Sequence, residues 1–415
     1  MNESLRILVV GAGIGGLAAA VALRQQGHHV TVLEKSQFAN ETGAAIGLQP
    51  NCTVLLRQLG IEPEDIGSTL LEDMSIVDAY TLEPIKGIAD KVREAAVRPA
   101  PSPETNIYFI HRADLHSALK RKAVGLDGEG KPIDLRLGCQ VKKIDHTTAT
   151  VTLTDGTTVE GDVIIGADGV HSACRKMLLG SEFQETPSPL SCFRTLIPTK
   201  QLLEDPLTAG LVSRPGKMTE AASDDRKIIF YPCSGGSQTN VLAILPRDND
   251  GSKSVENNKR LQFLSAYANF AAPLRHMIQH TAEENITMWD LFYLDPLPKW
   301  TNNFAALMGD AAHPYAPFLA QGSAQAIEDA ISLSVMLRKG TQAYEIPTRL
   351  QWYEECRKAR ATKIQNFSHG RTGDSAERDK PHAAGQEIHQ IAGYIMRHNE
   401  YINSSTFLAS KQALS

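Results

Sequence analysis

The strongest constraint on the fold of this chain is a glycine-rich turn between a strand and a helix near its start. Residues 5–10 (LRILVV) predict a buried parallel strand, and the string GAGIGG follows it directly at 11–16. The Ala- and Leu-rich run at 17–26 predicts a helix that ends at Gly27, and residues 29–33 predict a second strand. This order predicts a βαβ unit that binds a dinucleotide.

Three glycines of the turn have distinct physical roles in such a site. Gly11 allows the tight turn, Gly13 lets the backbone approach a pyrophosphate, and Gly16 lets the helix pack against the strand. The N–H groups at the start of the helix, together with the helix dipole, favour the negative diphosphate. Glu34, at the end of the second strand, is placed to accept hydrogen bonds from ribose hydroxyls. A chance Gly-rich turn would lack this helix and acid in register, but the motif alone does not separate FAD from NAD.

Two later motifs favour FAD. Residues 151–172 (VTLTDGTTVEGDVIIGADGVHS) predict a hairpin, a buried strand and a GADG loop beside the first nucleotide loop. Residues 304–330 predict a buried strand that ends in Gly309-Asp310, a Pro-containing loop, and a helix over 323–337. An aspartate at a strand end can bind the ribityl hydroxyls of a flavin, and the helix N-terminus can stabilise negative charge on the reduced ring.

The segments GAGIGG…Glu34, GADGVHS and GDAAHP…AQG…EDA resemble the motifs of the class A flavoprotein monooxygenases, in the salicylate hydroxylase-like branch of aromatic-ring hydroxylases. Other segments resemble that family in the right order, at 43–60, 111–115 (HRADL), 289–291 and 296–300. The resemblance covers most of residues 5–370. It implies an α/β fold in which a Rossmann-type FAD-binding domain carries an inserted antiparallel-sheet substrate domain.

The expected domain boundaries follow the motifs along the chain. The FAD-binding domain comprises residues 1–75, 105–178 and 296–370, the substrate domain comprises 76–104 and 179–295, and a C-terminal helical tail covers 371–415. In the substrate domain, strands are predicted at 188–198, 228–231 and 240–245, with a helical cover at 263–285. A further helix is predicted at 345–367, then a loose loop at 370–385 and one last helix.

The resemblance implies that a set of residues contacts FAD or holds the loops around it. These residues are Gly11, Gly13, Gly15, Gly16, Glu34, Lys35, Ala45, Arg112, Asp168, Asp310, Pro317, Gly322 and Ser323. Arg112 is expected near the ribose and pyrophosphate, and Asp168 lies in a motif that serves both FAD and the nicotinamide cofactor. The chain has no second GxGxxG motif, which implies that NADH or NADPH binds only transiently, as the electron donor.

The resemblance also implies a monooxygenase that consumes NAD(P)H and O₂ and hydroxylates a small aromatic substrate through a flavin hydroperoxide. In this chemistry the protein excludes water, positions the substrate and removes a phenol proton. The candidates for these tasks are Tyr231, Arg194, Lys227, Tyr315, Phe230 and Phe318. For the aromatic candidates, packing in a hydrophobic core is an equally good interpretation.

Single residues near these motifs allow sharper expectations. Relatives that hydroxylate acidic phenols often carry a His where this chain has Lys227, and many relatives carry a Gly where it has Ala320. His313 is interpreted as a structural turn residue rather than a catalytic one. Glu328 and Asp329 are interpreted as one helix-face partner and one solvated acid rather than a catalytic pair.

Two other functions stay open. The missing His motivates a natural-product biosynthetic monooxygenase that hydroxylates or epoxidises a larger skeleton. A non-oxygenase flavoprotein, such as a reductase or dehydrogenase, is a further alternative, whereas the WxWxIP segment of flavin halogenases does not occur in this sequence. A pure binding role is disfavoured because all three flavin motifs are present.

Composition excludes several partners. The net charge of −5, without a long basic block, argues against nucleic acid as a partner. The six cysteines are scattered singly without a CxxC pair, so neither a metal site nor a disulfide framework is predicted. The chain has no signal peptide and no apolar stretch of transmembrane length, which predicts a cytoplasmic protein without a membrane span. The substrate, the choice between NADH and NADPH, and the oligomeric state are left open.

Overall fold

A computed structural model of the chain describes residues 4–37, 44–85, 106–247, 258–369 and 385–413. The strands are β1 Arg6–Val10, β2 His29–Glu34, β3 Ala45–Leu48, β4 Thr69–Leu70, β5 Asp73–Asp78, β6 Tyr108–His111, β7 Asp134–Leu137, β8 Val141–Asp145, β9 Thr150–Leu153, β10 Thr158–Glu160, β11 Val163–Gly166, β12 Thr186–Pro198, β13 Lys217–Ala222, β14 Lys227–Cys233, β15 Gln238–Pro246, β16 Thr287–Tyr293, β17 Thr301–Asn302 and β18 Ala305–Leu307. The helices are α1 Ile14–Gln25, α2 Pro50–Gln58, α3 Arg112–Val124, α4 Ala173–Leu179, α5 Thr199–Glu204, α6 Ala209–Val212, α7 Lys259–Ala266, α8 Ala272–Gln279, α9 Gly322–Met336, α10 Ile346–Ser368, α11 Gly385–Met396 and α12 Glu400–Ala413.

The first sheet carries the nucleotide-binding motifs. Its strand order is β17-β18-β11-β1-β2-β7, and all neighbours run parallel except β17 and β18. The central strand β1 is buried from Ile7 to Val10, as expected for a parallel strand covered on both faces. Helix α1 connects β1 to β2, so the predicted βαβ unit is confirmed. The carboxyl ends of β1, β11 and β18 therefore meet at one edge of the sheet.

The second sheet has the order β16-β12-β15-β14-β13-β5, and its neighbours are antiparallel except β13 and β5. One face packs on helices α7 and α8 through Phe193, Phe230, Phe263 and Tyr267. Because side chains alternate along a strand, the opposite face carries a different set of residues. We call this the front face; it includes Arg194, Glu220, Lys227, Ile229, Tyr231, Leu242 and Ile244.

Two smaller sheets complete the described part of the chain. The sheet β3-β6-β4 contacts the second large sheet, because β6 packs against β14. The sheet β10-β9-β8 is formed by the predicted hairpin and its neighbour. The predicted α/β class, with a Rossmann-type sheet and an antiparallel second sheet, is confirmed. The exact domain boundaries stay a prediction, and β5 spans the predicted boundary at residue 76.

Two predicted helices are corrected. The continuous cover at 263–285 is wrong, because α7 ends at Ala266 and α8 begins at Ala272, with Pro273 in its first turn where a missing N–H is tolerated. The single last helix is also wrong, because α11 and α12 are separate and Asn399 accepts a hydrogen bond from the Ile402 N–H at the start of α12. The predicted loop at 370–385 lies almost entirely outside the described residues.

None of the described helices is both long and apolar enough to cross a membrane. The six cysteines are all unpaired thiols.

Candidate active site

The glycine turn at the start of α1 forms an open cradle. Gly11 has a φ of +103°, and a Cβ there would lie 2.5 Å from the carbonyl oxygen of Ala167. A Cβ on Gly16 would lie 2.0 Å from the carbonyl oxygen of Gly11, so both positions require glycine. A Cβ on Gly13 would meet no protein atom within 4 Å. The start of α1 has no side-chain cap and no acidic residue in its first turn, so its N–H groups face this space, which fits a diphosphate.

Other residues of this motif brace the turn. A Cβ on Gly15 would lie 3.0 Å from the Ala326 Cβ, so Gly15 lets α1 pack closely on α9. The two carboxylate oxygens of Glu34 accept hydrogen bonds from the Ala12 and Ser36 N–H groups, each at 2.8 Å. Glu34 therefore holds the backbone of the turn, and its contact with a ribose stays a prediction. The neighbouring Lys35 is exposed.

Asp310 lies where the GD motif, α3 and α9 converge. Asp310 is exposed to the cleft, yet desolvation by the surrounding protein raises the pKa of its carboxyl group, while the charges of His313, Arg112 and Arg175 act to lower it. Arg112 is the first residue of α3, and its N–H donates to the Ala44 carbonyl at 3.0 Å. A Cβ on Gly322 would lie 3.9 Å from Asp310 Oδ1. A carboxylate so placed in a cleft fits an acceptor for ribityl hydroxyls.

The loop before α9 is held by glutamines and is strained at one residue. Gln49 Nε2 donates to the Leu319 carbonyl at 2.9 Å, and Gln321 Nε2 donates to Gln49 Oε1 at 3.0 Å. Ala320 has a φ of +50°, a left-handed conformation that costs roughly 1–2 kcal/mol for a residue with a Cβ. This explains physically why glycine suits the position. The short 3₁₀ turn that precedes it begins at Pro317.

The N-terminus of α9 faces the same space as Asp310. Gly322 and Ser323 open the helix, which has no side-chain cap and no acidic residue in its first turn. Its positive dipole end is therefore available to stabilise negative charge on a bound flavin. A Cβ on Gly47 of β3 would lie 3.1 Å from the Ala320 Cβ, so β3, which includes Ala45, packs directly against this loop.

Asp168 and an arginine that the sequence analysis missed fix the GADG loop. Asp168 accepts hydrogen bonds from the Ser172 hydroxyl and from the Ala173 and Cys174 N–H groups, so its carboxylate caps α4. The buried Arg175 donates to the Val170 carbonyl at 2.8 Å and to the Ala311 carbonyl at 3.0 Å. Arg175 thus ties the GADG loop to the GD loop. The available sequence signal was a basic residue on the otherwise apolar start of a short helix.

Behind the GD loop lies a buried cluster of charges. Asp329 Oδ2 accepts from the Gly309 N–H at 2.8 Å and from His313 Nε2 at 2.7 Å. Glu328 and Asp329 are both fully buried, so the predicted solvated acid is wrong. Although burial alone would raise it, the guanidiniums of Arg357 and Arg360 lower the pKa of Glu328 to about 2. The buried position of His313 on Asp329 agrees with its interpretation as a structural residue.

On the front face, Tyr231 joins the second sheet to β3. Its hydroxyl donates to the Ala45 carbonyl at 3.0 Å, and its ring stacks on Phe109 with centroids 4.1 Å apart. Burial raises the pKa of Tyr231, although the nearby charge of Arg194 acts to lower it. Phe230 points to the other face and packs in the helix-covered core, so its expected place beside the substrate is wrong.

Lys227 and Arg194 differ in their partners. Lys227 Nζ lies 3.1 Å from Glu220 Oε1 and 5.4 Å from the centre of the Phe318 ring. The Arg194 guanidinium lies 5.1 Å from the centre of the Trp289 ring, and no ion pair of the described residues includes it. Glu220 was not predicted, since no motif marks it. Glu220 thus neutralises Lys227, whereas no carboxylate in the described part of the chain neutralises Arg194.

Tyr315 lies away from the front face. Its hydroxyl donates to the Ala361 carbonyl of α10 at 3.1 Å, and its ring packs against Ile364 and Ile391. This arrangement favours a packing role over the expected catalytic one. Phe318, by contrast, packs against Leu242 and Ile244 of the front face. The space between the front face and the loop that begins at Pro317 is therefore the candidate substrate chamber.

Comparison with known proteins identifies the family of this site. Residues 4–368 match the family described as FAD binding domain. The chain is similar to hispidin-3-hydroxylase of Neonothopanus nambi, at 36% identity over 87% of this chain and 86% of that protein. It is also similar to 6-hydroxynicotinate 3-monooxygenase of Pseudomonas fluorescens, at 31% identity over 94% of this chain and 97% of that protein. Its fold matches a salicylate hydroxylase substrate complex with a TM-score of 0.74, at 21% identity over 98% of both chains.

Proposed function

This chain belongs to the FAD-binding-domain family of flavoprotein monooxygenases, and from that premise we propose that it hydroxylates a small aromatic substrate that carries a negative charge. The family resemblance stated from the motifs is confirmed, as is FAD as the cofactor. NADH or NADPH is the electron donor usual in this family. Two relatives named after aromatic substrates support the proposed substrate class.

Most of the residues that would hold FAD follow the carboxyl ends of β1 and β18, which meet at one edge of the first sheet. The N–H groups after Gly13 would bind the diphosphate, Asp310 the ribityl hydroxyls, and the start of α9 at Gly322 would stabilise negative charge on the reduced ring. Arg112 would add a positive charge near the diphosphate. When bound and reduced by NAD(P)H, FAD activates O₂ for transfer of one oxygen atom to the substrate.

The front face would position the substrate and exclude water. Ile229, Leu242 and Ile244 provide an apolar surface for a flat ring. The observation that carries the proposal is that Arg194 lies on this face and pairs with no carboxylate of the described residues. Arg194 would hold a carboxylate or phenolate by charge-assisted hydrogen bonds, and so orient the ring carbon that accepts oxygen. A phenol that releases its proton to solvent and binds as the anion, which the charge of Arg194 favours, would need no His at the position of Lys227.

A direct test is oxygen incorporation by the purified holoenzyme. We expect hydroxylated aromatic acids and phenols to accelerate NAD(P)H oxidation, with one atom of isotopically labelled O₂ in the product by mass spectrometry. The panel should include larger phenolic natural products, because the absence of a His at residue 227 leaves a biosynthetic role as the alternative. NAD(P)H oxidation that yields only hydrogen peroxide with every aromatic compound would contradict the proposal.

The FAD site has its own test in Asp310→Ala. Loss of a charged acceptor should weaken FAD binding about 10- to 100-fold, measured by titration of the apoprotein with FAD. Asp134→Asn, at the edge of the same sheet, is the matched control and should bind FAD like wild type. Retention of full FAD affinity by Asp310→Ala would reject the proposed role. A cytoplasmic location stays a prediction.

A further inference from the structure

The C-terminal helices contact residues that support the GD loop, although they lie outside the region that the family match covers. The family match ends at residue 368, whereas α11 and α12 lie at 385–396 and 400–413. Even so, Glu400, at the start of α12, is fully buried. A carboxylate is buried at this depth only where it is paired and hydrogen-bonded. Its partners therefore indicate what the C-terminal helices contribute.

Glu400 completes the surroundings of a single buried arginine. Arg357 Nη1 lies 2.8 Å from Glu400 Oε2 and 2.7 Å from Glu328 Oε2, and Arg357 Nε lies 2.9 Å from Asp329 Oδ1. Each of these four side chains is fully shielded from solvent. Glu400 is itself fixed from the other side, because the Ser404 hydroxyl donates to its Oε1 at 2.6 Å.

From Arg357 the contacts continue to the flavin loop. Asp329 holds the Gly309 N–H and His313 Nε2 with its second oxygen, and these two residues bracket Asp310. A second branch runs through Arg360, which donates to both oxygens of Glu328 and to the Tyr394 and Ile395 carbonyls at the end of α11. The C-terminal helices thus contact the support of the GD loop at two points.

We propose that Glu400 is a positioning residue for FAD, which acts through Arg357 and Asp329 on the loop that carries Asp310. Without the Glu400 carboxylate, Glu328 and Asp329 are the two acids that remain around Arg357, and the guanidinium shifts toward them. The geometry of the hydrogen bonds that Asp329 accepts from Gly309 and His313 then changes as well. The loss of a buried negative charge also stabilises the reduced, negatively charged flavin. The proposal concerns FAD binding and does not depend on which substrate is hydroxylated.

The test compares two glutamates that both join α10 to α12 in the full-length holoenzyme. Glu400→Gln keeps the shape and removes the buried charge. Glu355→Gln is the control, since Glu355 pairs with Lys411 of α12 at the surface. We expect Glu400→Gln to raise the FAD dissociation constant about tenfold and to shift the flavin midpoint potential to more positive values. Glu355→Gln should change neither.

Two results would overturn the proposal. One is a Glu400→Gln protein that loses thermal stability but keeps the FAD affinity and midpoint potential of wild type, since that outcome indicates a purely structural role. The other is a Glu355→Gln protein with the same changes, because helix docking alone would then explain them. If Glu400→Gln does not fold, Ser404→Ala removes one hydrogen bond to Glu400 but keeps its charge, so it should raise the FAD dissociation constant by a smaller factor and leave the midpoint potential near that of wild type. Unchanged FAD affinity in Ser404→Ala would count against the proposal.

Discussion

The flavin side and the front face of the second sheet use the same residue types in opposite ways. Behind the flavin loop, Arg357 is fully buried and meets three carboxylates within 2.9 Å. On the front face, Arg194 has an aromatic ring beside it and no ion pair among the described residues. The first arginine is buried and makes four hydrogen bonds to protein side chains, whereas no described carboxylate pairs with the second. Structural and ligand-binding charges are thus distinguished by their partners rather than by their type.

The largest effect on stability should come from replacing the buried Arg357. Arg357→Met removes the one cation that three buried carboxylates share, leaves Arg360 to pair with Glu328 alone, and should lower the free energy of unfolding by about 3–5 kcal/mol, measured by urea denaturation. Arg136→Met is the control, because Arg136 pairs with Asp134 in an exposed position and should contribute less than about 1 kcal/mol. Equal losses for both variants would remove the contrast between buried and exposed pairs.

The next test separates folding from binding within the glycine turn. Gly16→Ala forces a Cβ against the Gly11 carbonyl and should cost about 1–3 kcal/mol of apoprotein stability. Gly13→Ala meets no protein atom, so the apoprotein should keep the stability of wild type while its affinity for FAD falls. Thermal unfolding with and without FAD measures both. Lower apoprotein stability in Gly13→Ala would contradict the open cradle.

On the front face, the two cations should respond differently. Arg194→Gln should raise the KM for an anionic aromatic substrate about 10- to 100-fold, because it removes charge-assisted hydrogen bonds. Lys227→Gln should change the same KM by no more than about fivefold, since Glu220 already neutralises this lysine. Steady-state kinetics measures the KM of each variant, and both variants should keep the thermal stability of wild type so that the KM values report on binding. A larger effect for Lys227→Gln would reverse the assignment.

The smallest effect on stability is expected at Tyr231, which joins the front face to β3 on the flavin side. Tyr231→Phe leaves the Ala45 carbonyl without its hydroxyl donor and should lower stability by about 1 kcal/mol. Tyr344→Phe is the control, because its side chain is exposed and no change is expected. Chemical denaturation of both variants measures the difference. Substrate-coupled turnover of Tyr231→Phe that equals wild type would show that the hydroxyl serves packing only.

Local sequence was sufficient where the backbone itself forms the site. The turn from Gly11 to Gly16 and the strand before Asp310 were predicted because their glycines and apolar runs dictate conformation over a few residues. Strand alternation also predicts that Phe230 and Tyr231 do not both face the substrate, because they are neighbours in β14 and must point to opposite faces.

The rest depends on partners that are distant in sequence. Asp329 is paired with Arg357, and Lys227 with a glutamate on the neighbouring strand, and no spacing rule identifies such pairs. For the same reason the sequence did not reveal that the Glu34 carboxylate holds the backbone of the turn, and its contact with a ribose stays a prediction. The chemistry of a side chain was therefore readable from the sequence, but its partner was not.

The bond network of Arg175 has a consequence for the order of events during synthesis. Its guanidinium joins the carbonyl of Val170 to that of Ala311, far later in the chain. Domains fold as units while the chain emerges from the ribosome, N-terminal part first. The glycine turn can therefore form early, but the complete cofactor site cannot exist until Gly322 has left the exit tunnel. Full FAD capture is then a step that follows the synthesis of every strand of both large sheets, since the last of them ends at Leu307.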